Sequence, residues 1–181
     1  NLCVVTAGST NQVTCTPPAD LPAGNYDVSL IRKGLGYSIF TSVCSIDYAL
    51  TVSAVSATSG ALGGNHAITV TGTGFGTDVA DTEVRMRGMK CNIRHVSTNE
   101  VVFDSPPSNH AGPCIIFMTV ETSSSHATAG CGQYNYDSAM TPNVETVFPT
   151  RGSTAGGTPL TISGSGFRSG MVMSIQGFVC G

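Results

Sequence analysis

Three partial copies of one pattern run along this 181-residue chain, and their spacing limits what it can fold into more than any single residue does. Cys3 and Cys91 lie 88 positions apart, as do Asn11 and Asn99, and Tyr48 and Tyr136. Val52-Ser-Ala-Val55 returns as Val144-Glu-Thr-Val147, and Gly72-Thr-Gly74-Phe75 as Gly164-Ser-Gly166-Phe167, both after 92 positions. Self-similarity at a fixed period predicts an array of like modules. A period of about 90 residues suits a small sandwich module rather than a solenoid unit. The first copy lacks its beginning and the third lacks its end, so the expected order is back half, whole module, front half. The boundaries are residues 1–49, 50–140 and 141–181.

The complete middle copy reads as strands. Leu50 to Ser56 alternates apolar and small polar residues, Ser59 to Asn65 is a glycine-rich turn, and His66 to Thr71 sets Ala67, Thr69 and Thr71 opposite Ile68 and Val70. Val84 to Arg87, Cys91 to Val96, Val101 to Phe103, Cys114 to Glu121 and Gln133 to Tyr136 add further short runs between Gly, Pro, Asn and Ser clusters. Turn signals roughly every 8 to 15 residues between period-2 runs predict an all-β, immunoglobulin-like sandwich. The fold expected is thus tandem β-sandwiches, one complete and two partial. No apolar 3.6-residue period persists for three turns, so no substantial helix is expected. The expected core of the middle module is Val52, Val55, Ile68, Val70, Phe75, Val84, Val101, Phe103, Ile116, Met118 and Tyr136. The tracts Tyr48 to Val52 and Tyr136 to Val144 are short, which predicts stacked modules with restricted swing.

Charged residues make up 10% of the chain, well below the usual figure of about 25%. Eight basic against eleven acidic side chains give a formal charge of −3, which offers no field for phosphates and argues against nucleic acid as a partner. No apolar run approaches the roughly 20 residues of a membrane span, and no leader peptide is recognised. Seven cysteines without a Cys-x-x-Cys pair point to disulfides rather than zinc, and hence to an extracellular place, secreted or on the cell surface. Their odd number leaves at least one partner elsewhere. Cys180 is the natural candidate, because its counterparts Cys3 and Cys91 are each followed by most of a module.

The order of these motifs resembles the IPT/TIG family. The signature is Val-x-x-Val, then Gly-x-x-x-Gly-Gly (Gly152 to Gly157, more loosely Gly60 to Gly64), then a strand ending in Thr-Gly-x-Gly-Phe or Ser-Gly-x-Gly-Phe. A central cysteine, a polar-Cys-x-Pro stretch and a closing aromatic-x-Tyr strand extend the likeness over essentially the whole chain. The resemblance implies an immunoglobulin-like fold used in plexin and fibrocystin-type ectodomains, in protist surface and filament proteins, beside polysaccharide enzymes, and in Rel-type transcription factors. Such motifs specify a fold more strongly than a partner. The resemblance also implies a bridge between Cys3 and Cys15. Phe103 stands where the first copy has Cys15, so the middle module must pair its cysteines differently. Cys114 and Cys131, on adjacent strands of a hairpin, are expected to bond; the pairing of Cys44, Cys91 and Cys180 stays open, Cys44 to Cys91 across the joint being one choice.

Other motifs carry less chemistry than they first suggest. Gly72-Thr-Gly74-Phe75-Gly76 resembles a nucleotide loop, yet no helix pattern follows it; the glycines are expected to bend a strand end, with Phe75 and Phe167 plugging the sandwiches. Asp78, Asp81 and Glu83 crowd one loop without the calcium-loop spacing. His66, His95, His110 and His126 share no ligand spacing, and no serine sits in a Gly-x-Ser-x-Gly elbow. The chain is therefore read as no enzyme, with no cofactor and no metal. Pro17-Pro18 after Thr16, and Pro106-Pro107 after Ser105, stop strands; the two tracts are also candidate sites of proline hydroxylation and O-glycosylation. No Asn-x-Ser/Thr sequon is present.

Two functions follow. The first is a structural subunit of an extracellular fibre or surface coat, glycosylated and joined head to tail to further copies of itself or to continuing modules. The alternative is a stalk or ligand-binding ectodomain segment of a cell-surface receptor. The recurrence of the same break point in the module, near Cys3 and near Cys180, tips the reading toward the fibre.

Overall fold

The computed structural model describes residues 3–18, 21–39, 44–122 and 126–180. The first module contributes β1 (Val4–Gly8), β2 (Val13–Thr16), β3 (Gly24–Asp27), β4 (Ile31–Arg32), β5 (Gly36–Tyr37) and β6 (Ser45–Tyr48). The middle module contributes β7 (Thr51–Val55), β8 (Ser59–Ala61), β9 (Ala67–Thr73), β10 (Thr82–Met86), β11 (Met89–Lys90), β12 (Asn92–Ser97), β13 (Glu100–Asp104), β14 (Gly112–Glu121) and β15 (His126–Asp137). The third contributes β16 (Asn143–Phe148), β17 (Thr161–Ser165), β18 (Ser174–Ile175) and β19 (Phe178–Val179).

The middle module packs a five-stranded sheet, ordered β11-β10-β14-β15-β8, on a four-stranded sheet, ordered β12-β13-β9-β7. Period-2 alternation decides which residues meet between them. Ile68 and Val70 of β9, Val101 and Phe103 of β13, Val84 and Met86 of β10, and Ile116 and Met118 of β14 are all fully buried. Phe75 and Tyr136 join them, as expected, while Val52 and Val55 pack half-buried against the same cluster. Met86, Val96 and Tyr134 enter the core although the sequence reading left them out.

The copies agree rung by rung. In the middle module Ile93 faces Phe103, the register slips before His95, and Val96 faces Val101; in the first, Val5 faces Cys15, the register slips before Ala7, and Gly8 faces Val13. Gly112 faces Tyr136 as Gly24 faces Tyr48. Val52 faces Gly72 with a slip before Ala54, as Val144 faces Gly164 with a slip before Thr146. The two-residue turn Arg87-Gly88, with φ 51° and 78°, recurs as Gln176-Gly177 with φ 50° and 89°. Both residues of such a type I′ hairpin need positive φ, the geometry that matches strand twist.

One detail departs from the sequence reading. The start of the glycine-rich turn is a strand, β8, which pairs in parallel with β15. A Cβ on Gly60 would stand 2.1 Å from the Tyr134 hydroxyl, so this strand fits only because Gly60 has no side chain. As expected, helix among the described residues is limited to two 3-10 turns, Val79–Asp81 and Ser138–Met140. Among the described residues, burial is concentrated in the middle module: only Ala23 and Gly24 are buried in the first, and none in residues 142–180.

Candidate functional site

The seven thiols are unbonded and fall into two environments. Cys3 and Cys15 lie exposed at the open end of the β1–β2 hairpin, and the hydrogen bond between their thiols raises the Cys3 pKa. The hairpin therefore brings together the two residues that the family resemblance would bridge. Cys91, Cys114 and Cys131 are buried in the middle core, where an uncharged thiol packs as a small hydrophobe. Burial pushes the Cys91 thiol up to about 12, helped by neighbouring Cys114, and burial alone pushes Cys131 to about 11. Neither is a nucleophile at neutral pH.

The register sets the expected Cys114–Cys131 pair on different rungs of the β14–β15 hairpin. Cys114 faces Tyr134, whereas Cys131 is the extra residue at the slip where Ile116 faces Gly132 and Phe117 faces Gly130. The two share a hairpin but sit on different rungs, and a bridge needs Cα atoms within about 7 Å. Cys44 is exposed in the first module while Cys91 is sealed in the second, so the joint-crossing bridge has no support either. Cys180 repeats the setting of Cys91: its amide donates to the Met173 carbonyl as that of Cys91 donates to Val84.

The two proline tracts differ in access. Thr16 and Pro17 are exposed and Pro18 half-buried, leaving Thr16 open to modification. Ser105 is only 2% exposed, and its hydroxyl accepts the His66 amide hydrogen at 3.2 Å. A glycan on Ser105 would have to displace that packing, unlike one on Thr16. Pro106 is half-buried and accepts the Tyr136 hydroxyl at 2.7 Å; Pro107 is exposed. Pro106 and Pro107 lean on the glycine-rich turn, where a Cβ on Gly64 would meet their backbone at 2.6 Å.

Charged residues serve local structure. Asp78 caps the Val79–Asp81 turn, accepting the Ala80 amide at 2.8 Å. Glu83 is held between Arg85 and Lys90, and the Arg85 hydrogen bond lowers its pKa. Among the described residues no three His, Cys, Asp or Glu side chains converge as metal ligands. His66 Nδ1 lies 3.1 Å from the Tyr134 hydroxyl.

Arg87 was missed by the sequence reading. From its turn, Nη2 donates to the Gly112 carbonyl at 3.0 Å and reaches those of Pro113 and Ala111, with the guanidinium 5.6 Å over the Tyr136 ring. It ties the β10–β11 turn to the start of β14 and closes one end of the sandwich. Beside it, Ile115 and Phe117 stand about half exposed on the outer face of the five-stranded sheet.

The sequence profile of the IPT/TIG domain matches residues 50–136 and again 142–181. The chain belongs to the IPT/TIG family. Its sandwich is accordingly the all-β, immunoglobulin-like IPT/TIG fold. Fibrocystin-L of Mus musculus is 30% identical over 184 residues, which covers 99% of this chain and 4% of that protein. Plexin-A3 of Rattus norvegicus is 29% identical over 122 residues, 62% of this chain and 6% of that protein. The chain thus spans a small fraction of the length of these relatives. A solved auxiliary nutrient binding protein from Bacteroides ovatus superposes on 50% of this chain and 21% of its own at TM-score 0.43 and 18% identity, a likeness too slight to bear on role. No helix among the described residues is long and apolar enough to cross a membrane.

Proposed function

We propose that these IPT/TIG modules are a segment of an extracellular ectodomain of cell-surface receptor type, in which stacked sandwiches space or present a recognition surface. The observation that carries this reading is the likeness to fibrocystin-L over 99% of the chain, with plexin-A3 behind it. It favours the receptor alternative over the fibre or coat subunit. Seven cysteines, the thiol pair at Cys3 and Cys15, and a hydroxyl-rich surface fit an oxidising, extracellular setting. The role is binding and spacing rather than catalysis.

Head-to-tail continuation belongs to this reading. In the middle module β13 covers the edge of β9 and β14 that of β10. Strands built like β2 and β3 would cover β17 and β18 in the same way.

The test is labelling of intact source cells with an antibody raised against residues 50–140. Surface staining that protease treatment removes supports the ectodomain. Antigen found only inside permeabilised cells overturns it, and antigen found only in detached extracellular fibres returns the fibre reading.

A further inference from the structure

The first joint is a docked contact. Only Ala49 and Leu50 separate β6 from β7. Across that joint the Ala23 amide donates to the Gly74 carbonyl at 2.8 Å, and Ala23 is fully buried. Gly74 has φ +87°, and a Cβ there would stand 2.8 Å from the Ala49 carbonyl oxygen and 2.9 Å from the Ala23 Cβ. A Cβ on Gly76 would stand 3.1 Å from Pro22 Cγ. The loop Gly74 to Gly76 thus forms a shallow seat without side chains at its rim, and Pro22-Ala23 occupies it. Pro22 is held ready by its own module: the Tyr26 hydroxyl donates to its carbonyl at 2.8 Å, and the Tyr26 ring meets Tyr48 edge-on at 5.6 Å.

The second joint has the matching parts and does not assemble them. Ala111-Gly112 corresponds to Ala23-Gly24, and Gly166-Phe167 to Gly74-Phe75. Yet Ala111 is exposed, and the nearest atoms to a Cβ on Gly166 belong to Thr141 and Pro142 of its own linker. Two substitutions and one insertion account for this. Cys114 replaces Tyr26, so no phenol hydroxyl holds His110 as Tyr26 holds Pro22. Arg168 replaces Gly76, putting a long side chain at the rim of the seat. The linker is four residues longer and folds into the Ser138–Met140 turn, after which the Thr141 hydroxyl donates to Asp137 and accepts from the Leu62 amide at 2.8 Å. That linker is anchored to the middle module's glycine-rich turn instead.

We infer that Gly74-Phe75-Gly76 is an intramolecular docking seat whose occupant is Pro22-Ala23 of the preceding module. The first and middle modules therefore move as one body, and the articulation of the array lies just beyond the anchored Thr141, at Pro142. This rests on the stacked-module reading above and adds to it where the stack is stiff and where it bends. A seat of this kind is open to any preceding module that presents a small residue and a held proline, and it is closed by a side chain at position 74 or 76.

The test is amide hydrogen exchange on the 181-residue chain, with small-angle scattering on two variants. The Ala23 amide should exchange at least about a hundredfold more slowly than the Ala111 amide, in keeping with a hydrogen bond opened only by subglobal unfolding. Ala23→Glu should enlarge the radius of gyration, and Ala111→Glu should leave it unchanged. Equal exchange at Ala23 and Ala111, with Val70 and Val84 still protected, overturns the docking. So does an Ala23→Glu variant with wild-type dimensions. Cellular location does not enter these readouts, so a failed ectodomain reading would show in cell labelling and leave them untouched.

Discussion

Phe75 lies over Gly72. A Cβ added to Gly72 would stand 2.8 Å from Phe75 Cζ and 1.9 Å from the Thr51 carbonyl oxygen, and Gly164 stands in the same relation to Phe167 and Asn143. The glycine lets the slipped first strand approach closely, and the aromatic ring two residues beyond Thr73 fills the space. Gly72→Ala should destabilise the chain by at least about 1–3 kcal/mol, the usual cost of overpacking. Phe75→Ala should cost about 3–5 kcal/mol, because the fully buried ring leaves a cavity. Urea unfolding followed by circular dichroism measures both. A loss under about 0.5 kcal/mol for Gly72→Ala would mean that the first strand does not pass so close.

Under oxidising conditions Cys3 and Cys15 should form a disulfide. Closing so short a loop stabilises by about 3 kcal/mol in the chain-entropy account. Non-reducing peptide mapping checks it, and free thiols at both positions in oxidised, folded protein would remove the assignment.

The Cys91 thiol should make the middle module sensitive to alkali. Its pKa is raised from 9.0 to about 12, chiefly by burial, so the folded state holds a proton that the unfolded state releases first. The stability this contributes is intact below pH 9.0 and is lost as pH rises through that value toward about 12. Urea midpoints across this range should fall less steeply for Cys91→Ala than for the wild type. Parallel curves would show that Cys91 is not the group responsible.

Asp104 should act at the other end of the pH scale. Arg94 Nε donates to Oδ2 at 2.8 Å, Nη2 lies 2.6 Å from Oδ1, and Asn92 adds a bond of 3.2 Å. The Arg94 hydrogen bond holds the carboxyl pKa below its ordinary value of 3.8. Its stabilisation is therefore present above that value and is lost as pH falls through the lowered one. Arg94→Ala should move the acid-unfolding midpoint, followed by circular dichroism, to higher pH. An unchanged midpoint would show that the pair contributes nothing to acid stability.

The module and most of its core are legible in the order of residues alone. Recurrence at 88 and 92 positions located equivalent strands, and period-2 alternation told which side of Ile68-Val70 and Ile116-Met118 faces inward. Gly-x-Gly-Phe marked the plug. Alternation and the plug are legible because each depends on residues close together along the chain, and the recurrence because each copy repeats the same local pattern. Contacts between distant segments needed the folded chain: β8 lying parallel to β15 beneath Tyr134, Ser105 sealed by His66, Arg87 reaching the carbonyls of β14, and Cys114 lying more than two rungs from Cys131. Alternation names the face a side chain points to but not the neighbour it meets there. A one-residue slip such as that at Cys131 changes the neighbour without changing the composition. The docked first joint is of the same kind, since it depends on the absence of a Cβ at Gly74 just where Ala23, 51 positions earlier, is delivered by a different sheet.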